Sequence, residues 1–254
     1  MKNSLILLSL IFINSCNVAS VLTGAETDLG NNFSTDLTNG LDFFARLDSS
    51  GDQYTSFNNI ILTNTFTATQ TSGKNGGAIQ CDSAGIGNAD CALKDASTNI
   101  VYPSGQNFAV AFWLKADTTY TSISSGTIFT DDNGTLQVSF GDIDGSSDTN
   151  DLRINVNAMT SQYNNMPISL GQWNHIAVNL INGGDSREVY LNGNFYASSS
   201  GHSAMNVNAT GICLCSSYIG GNEFEGAIDS FGLWNRNLST DEIKALYTGN
   251  NNVD

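Results

Sequence analysis

Gly171-Gln172-Trp173-Asn174-His175-Ile176-Ala177-Val178 is followed in the chain by Arg187-Glu188-Val189-Tyr190-Leu191-Asn192-Gly193-Asn194. Tyr218-Ile219-Gly220-Gly221 and Phe224-Glu225-Gly226-Ala227-Ile228-Asp229 come next, then Leu233-Trp234-Asn235-Arg236-Asn237-Leu238-Ser239-Thr240-Asp241-Glu242-Ile243. This is an ordered run of short strands and turns that closes on a helix start. Asn192-Gly193 is the favoured two-residue hairpin turn, because both positions tolerate positive φ, and Asn133-Gly134 repeats the signal upstream. Ser239 and Glu242 form a capping box, with Ile243, Leu246 and Tyr247 on one helical face and Gly249 as terminator. Working toward the N-terminus, Phe108-Ala109-Val110-Ala111-Phe112-Trp113-Leu114-Lys115 is apolar on both faces, which places it centrally between layers. Leu136, Val138 and Phe140 alternate with Gln137 and Ser139, and Leu152, Ile154 and Val156 alternate with Arg153 and Asn155, so each of these strands has one wet face.

Taken together, these stretches resemble the concanavalin A-like, laminin-G-type jelly-roll family. Gly40-Leu41-Asp42-Phe43-Phe44-Ala45-Arg46-Leu47-Asp48 resembles its first strand, and Asp48-Ser49-Ser50-Gly51 the turn after it. The resemblance implies an all-β fold: an antiparallel β-sandwich of jelly-roll type with one short C-terminal helix, over residues 40–250. It leaves the ligand open, since function on such a scaffold belongs to sites grafted onto it.

The first residues read as an address. Lys2 is the only charged residue of 1–15, Leu5 to Ile13 form a short apolar run, and the small Ser15 precedes Cys16. The run is too short for a membrane span, which needs roughly 20 apolar residues. Ile13-Asn14-Ser15-Cys16 resembles a relaxed bacterial lipobox, with Asn14 departing from the usual small apolar residue. That implies a lipoprotein signal peptide over 1–15, lipidation at Cys16, a polar tether over 16–39, and export to the cell envelope at the outer membrane or cell surface. An ordinary signal peptide cut near Ala19 is the alternative.

With 9 basic against 24 acidic residues the formal net charge is −15. Such a chain has too few Lys and Arg to displace counterions from nucleic acid, and its sign is wrong for anionic headgroups. A membrane is therefore reached through the lipid anchor alone. The 25 Gly, 2 Pro and abundant Ser, Thr and Asn suit short strands joined by turns.

Apart from Cys16, the cysteines are Cys81, Cys91, Cys213 and Cys215, an even set that an exported protein would use for disulfides. Cys81 and Cys91 flank a Gly-rich loop and could close it locally. Alternatively, both pair with the Cys213-Leu214-Cys215 strand, where 213 and 215 point to the same face. No familiar zinc spacing includes His202.

Asp142, Asp144, Asp148 and Asp151 crowd one inter-strand loop with a Gly and an Asn, an oxygen-rich set of the kind calcium takes. The spacing is not that of an EF-hand, and a solvated acidic loop is the competing reading. Catalysis finds little support. No strand carries the paired carboxylates of related glucanases, and no Gly-x-Ser-x-Gly elbow accompanies His175 or His202. Trp113, Trp173 and Trp234 fall within family-like strands and read as core, His175 reads as held by a structural polar contact, and Asp229 reads as a structural acceptor. The expected role is non-catalytic binding of a carbohydrate or a surface protein. The alternatives are a structural envelope lipoprotein without a specific ligand, and a glycan-active hydrolase.

Overall fold

The computed structural model describes residues 37, 39–48, 53–55, 61–64, 68–81, 93–95, 99–117, 126–142, 150–217 and 224–248. The strands are β1 Leu41–Ala45, β2 Gln53–Thr55, β3 Ile61–Asn64, β4 Thr69–Ser72, β5 Gly77–Cys81 and β6 Leu93–Asp95. They continue as β7 Ile100–Tyr102, β8 Phe108–Ala116, β9 Gly126–Asp131, β10 Leu136–Gly141, β11 Asp151–Val156 and β12 Met159–Tyr163. The remainder are β13 Asn174–Ile181, β14 Ser186–Leu191, β15 Asn194–Ser199, β16 Val207–Ala209, β17 Ile212–Leu214 and β18 Gly226–Trp234. The helix α1, Thr240–Thr248, follows.

Two antiparallel sheets face each other. The first runs β15-β14-β13-β8-β18-β5-β4, with β1 also paired to β18; the second runs β12-β11-β10-β9-β17-β6-β3-β2. A third, two-stranded sheet pairs β16 with β7. β18 shifts register between Asp229 and Gly232, with Ser230 at φ 50°, so β5 and β1 occupy successive stretches of the same strand. The alternation seen in the sequence points one residue set inward. Phe43, Phe112 and Phe231 of the first sheet meet Phe129 of the second, with Phe129–Phe231 ring centroids 4.8 Å apart. As expected, β8 is buried on both faces.

Its second face lies under α1. The small Ala109, Ala111 and Ala177 leave room there for Ile243 and Leu246, and Trp234 is fully buried beside them with its indole N–H donated to the Leu37 carbonyl at 2.8 Å. The capping box forms: Ser239 Oγ accepts the Glu242 N–H at 3.2 Å and Glu242 Oε2 accepts the Ser239 N–H at 2.7 Å. Arg236 adds an ion pair to Glu242 at 2.6 Å. Gly249 lies outside the described residues.

Two turns divide differently. Asn192 (φ 50°) and Gly193 (φ 77°) make the two-residue hairpin, and a side chain at Gly193 would meet Tyr247 of α1 at 3.0 Å. At Asn133-Gly134 the link is longer, from Asp131 to Leu136, and of the two residues only Gly134 is left-handed. The two-residue turn appears instead at Asn157-Ala158, with φ of 50° and 66°, because the register pairs Val156 directly with Met159.

Candidate functional site

The outward-facing positions of the second sheet line up across strands. By register, Thr160 of β12 stands beside Asn155, then Gln137, Thr130 and Cys213, and the same row continues at Lys94, Thr63 and Gln53. One pleat away, Gln162, Arg153, Ser139 and Thr127 form a second row. Side chains stand roughly perpendicular to a sheet. The short Thr127, Thr130 and Ser139 are buried, Gln137, Arg153 and Asn155 are half-buried, and Thr160 and Gln162 are exposed. The face therefore opens toward its β11–β12 edge. Gln137 donates Nε2 to Thr127 Oγ1 at 2.8 Å, and Thr160 donates its hydroxyl to Asn155 Oδ1 at 3.0 Å. Arg153 Nε is buried without a hydrogen-bond partner. The sequence marks Gln137, Ser139, Arg153 and Asn155 as wet-face residues but not as neighbours.

The acidic loop is only partly within view. Gly141 pairs with Asp151, which brings Asp142 and Asp151 to adjacent strand ends. Asp151 is buried and accepts the Asn165 N–H at 3.0 Å. Asp144 and Asp148 lie outside the described residues. Among the described residues no group of three or more His, Cys, Asp or Glu is placed to hold a metal.

Cys81 at the end of β5 is bonded to Cys215, so this bridge ties the first sheet to the second, and Cys213 is also disulfide-bonded. The local Cys81–Cys91 closure is thereby excluded. Cys213 and Cys215 do not share a face as expected. Ile212 and Leu214 point into the core, which turns Cys213 outward, whereas Cys215 lies past the strand end with φ 73° and turns back into the core. Cys91 and Cys16 lie outside the described residues.

The tryptophans also separate. Trp113 and Trp234 are buried on the helix side of the first sheet, but Trp173 precedes β13 and is only half-buried. Trp113 is no open sugar platform: His175 and Tyr247 pack on it at 5.2 and 5.6 Å between centroids, and Lys74 Nζ sits 5.0 Å over its ring. Asp229 accepts the N–H groups of Lys74 and Asn75 at 2.8 and 3.0 Å, the acceptor role read from the sequence. Burial pushes its pKa up to about 7. At the sandwich edge His202 Nε2 lies 2.9 Å from Ser161 Oγ and 3.0 Å from Ser199 Oγ, linking β12 to β15. Arg187 is fully buried and donates to the carbonyls of Gly184, Ile154 and Met159, which ties the first sheet to the β11–β12 hairpin.

His175 differs from its expected polar contact: its ring is buried with Nδ1 unpartnered. Burial lowers its pKa from 6.5 to about 3. The unfolded chain takes up this proton near pH 6.5, while the folded chain refuses it down to about pH 3. This contribution to stability is therefore complete above pH 6.5 and is lost on acidification at about 1.4 kcal/mol per pH unit. Asp229, whose pKa is raised, works in the opposite sense over part of that range. His175→Gln is expected to flatten the fall of melting temperature between about pH 6.5 and 4. Parallel curves for variant and wild type would mean that His175 is not what resists the proton.

The chain belongs to the concanavalin A-like lectin/glucanases superfamily, whose Laminin_G_3 family model matches residues 87–244. Among solved structures it is similar to domain 4 of AbnA, a GH43 extracellular arabinanase from Geobacillus stearothermophilus, solved in complex with arabinotriose. The TM-score is 0.59 and the identity 17%, over 82% of this chain and 98% of that one. It is also similar to the binding domain of Paraclostridial Mosquitocidal Protein 1, with TM-score 0.62 and 16% identity over 84% of this chain and 53% of that one. The binding domain of botulinum neurotoxin serotype D gives 0.60 and 13%, over 83% and 52%. The chain thus spans about half the length of the toxin domains. At these identities the likeness shows the fold. No curated protein matches the chain.

Proposed function

We propose that this domain is a non-catalytic glycan-binding module whose ligand lies on the outer face of the second sheet, at its β10–β12 side. The observation that carries this reading is the register-aligned band of hydroxyl, amide and guanidinium groups there, while the middle of the first sheet's outer face, at β8, β13 and β18, is occupied by α1. Sugar hydroxyls are both donors and acceptors, and Thr, Ser, Asn and Gln side chains answer them in kind. The arabinanase domain solved with arabinotriose and the toxin binding domains lend support by analogy. Binding is preferred to hydrolysis because glycoside cleavage needs two opposed carboxyl groups. Among the described residues, two carboxylates beside these rows are already engaged: Asp151 accepts the Asn165 N–H and Asp132 the Thr210 N–H. A glycan array probed with the purified protein, with and without calcium, is expected to return specific hits. An empty array in both conditions would favour a purely structural role.

We further propose export and lipid anchoring at Cys16. The inter-sheet disulfide supports an oxidising destination. Among the described residues no helix is long and apolar enough to cross a membrane. Cys16→Ala is expected to release the protein from the membrane fraction or leave an uncleaved precursor. Wild-type protein that takes up no fatty-acid label would overturn the anchor.

A further inference from the structure

We infer that the glycan taken by this face is acidic, carrying carboxylate groups as uronic acids do, and that Arg153 reads that charge; the inference rests on the glycan-binding reading above. The two register rows hold no Asp, no Glu and no aromatic residue, and on β10, β11 and β12 their one charged residue is Arg153. In a chain with 24 acidic and 9 basic residues, Arg153 gives this part of the surface a cation for an anionic ligand to meet. Among the described residues these rows offer no aromatic ring for a sugar to stack on, so what they contribute to binding is hydrogen bonds. Neutral hydrogen bonds gain little net energy in water, and charge-assisted ones are roughly twice as strong.

Arg153 is equipped for such a bond. Its neighbours across the strands are Ser139 and Gln162, both neutral. The ion pairs among the described residues are Arg46–Asp48 and Arg236–Glu242, so Arg153 is in neither. Its buried Nε has no acceptor, a cost that the unliganded protein carries. A carboxylate bound side-on, through Nε and one terminal nitrogen after a rotamer change, supplies that acceptor in the planar geometry a guanidinium prefers. One arginine suits an isolated carboxylate. A densely sulfated polymer, with its closely spaced charges, needs a cluster of bases.

The test is an array that prints oligogalacturonates, oligoglucuronates and oligomannuronates, each beside its carboxyl-reduced neutral counterpart, with sulfated oligosaccharides as a third set. It is probed with the full chain as wild type, Arg153→Gln and Asn155→Ala, each shown to be folded by circular dichroism. Wild type is expected to prefer a uronate at least tenfold over its neutral partner, with the preference shrinking as salt rises. Arg153→Gln should abolish that preference, while Asn155→Ala weakens both members of the pair. Equal binding of charged and neutral partners, an unchanged preference in Arg153→Gln, or selection of the sulfated set overturns the acidic-ligand inference and leaves the site reading standing if Asn155→Ala still weakens binding. No binding to any member overturns both.

Discussion

Trp234→Ala is expected to destabilise the domain by about 3–5 kcal/mol, the usual cost of truncating a buried large aromatic. Trp234 is fully buried between the alanine-lined face of the first sheet and α1, and its indole N–H is committed to the Leu37 carbonyl. The substitution opens a cavity and leaves a buried carbonyl without its donor. A loss of this size is a large share of a typical domain's stability, so the melting temperature should fall by many degrees. Trp173→Ala, which from sequence alone would be expected to unfold the domain, should cost much less because that ring is half-buried ahead of β13. Thermal melts of the two variants side by side check both statements. Equal losses would mean that Trp173 is packed as deeply as Trp234.

Removing the inter-sheet bridge comes second. The double change Cys81→Ala with Cys215→Ala is expected to cost about 2–5 kcal/mol, in the range of native disulfides. The bridge spans 134 residues of sequence, so it restricts the unfolded chain over more than half its length. Changing both residues avoids leaving a lone buried thiol. Denaturant titration should show the midpoint lowered at a similar slope. A midpoint unchanged from wild type would mean that the sheets hold together without the bridge.

The sandwich was legible where one strand carries its own message. β8 is apolar at both parities because α1 covers one face and the second sheet the other, and Ser239 with Glu242 announces the helix. Asn192-Gly193 named its turn. Asn157-Ala158 did not, since Ala carries no turn signal and the register of β11 with β12 imposes the left-handed pair. Cys215 misled for a related reason: period two holds only while the strand lasts, and β17 ends at Leu214. The ligand face was half legible. Each wet face shows in its own strand, but the rows depend on Thr130, Cys213 and Lys94 becoming neighbours, and these lie far apart in the chain. Such pairings are decided by the packing of whole sheets, which local periodicity does not encode. The acidic loop stood out as a composition. Of its four carboxylates the structure places Asp142 and Asp151, the latter bonded to the Asn165 N–H.

On the proposed function, ligand meets the outer face of the second sheet. Backbone amide shifts, followed while the tightest-binding glycan from the array is titrated in, test it most directly. The largest changes are expected on β10, β11 and β12, around Gln137, Arg153, Asn155 and Thr160, with β13 and α1 undisturbed. Changes concentrated instead at Ser169 to Trp173 and Asn192-Gly193, with β10–β12 silent, would contradict it.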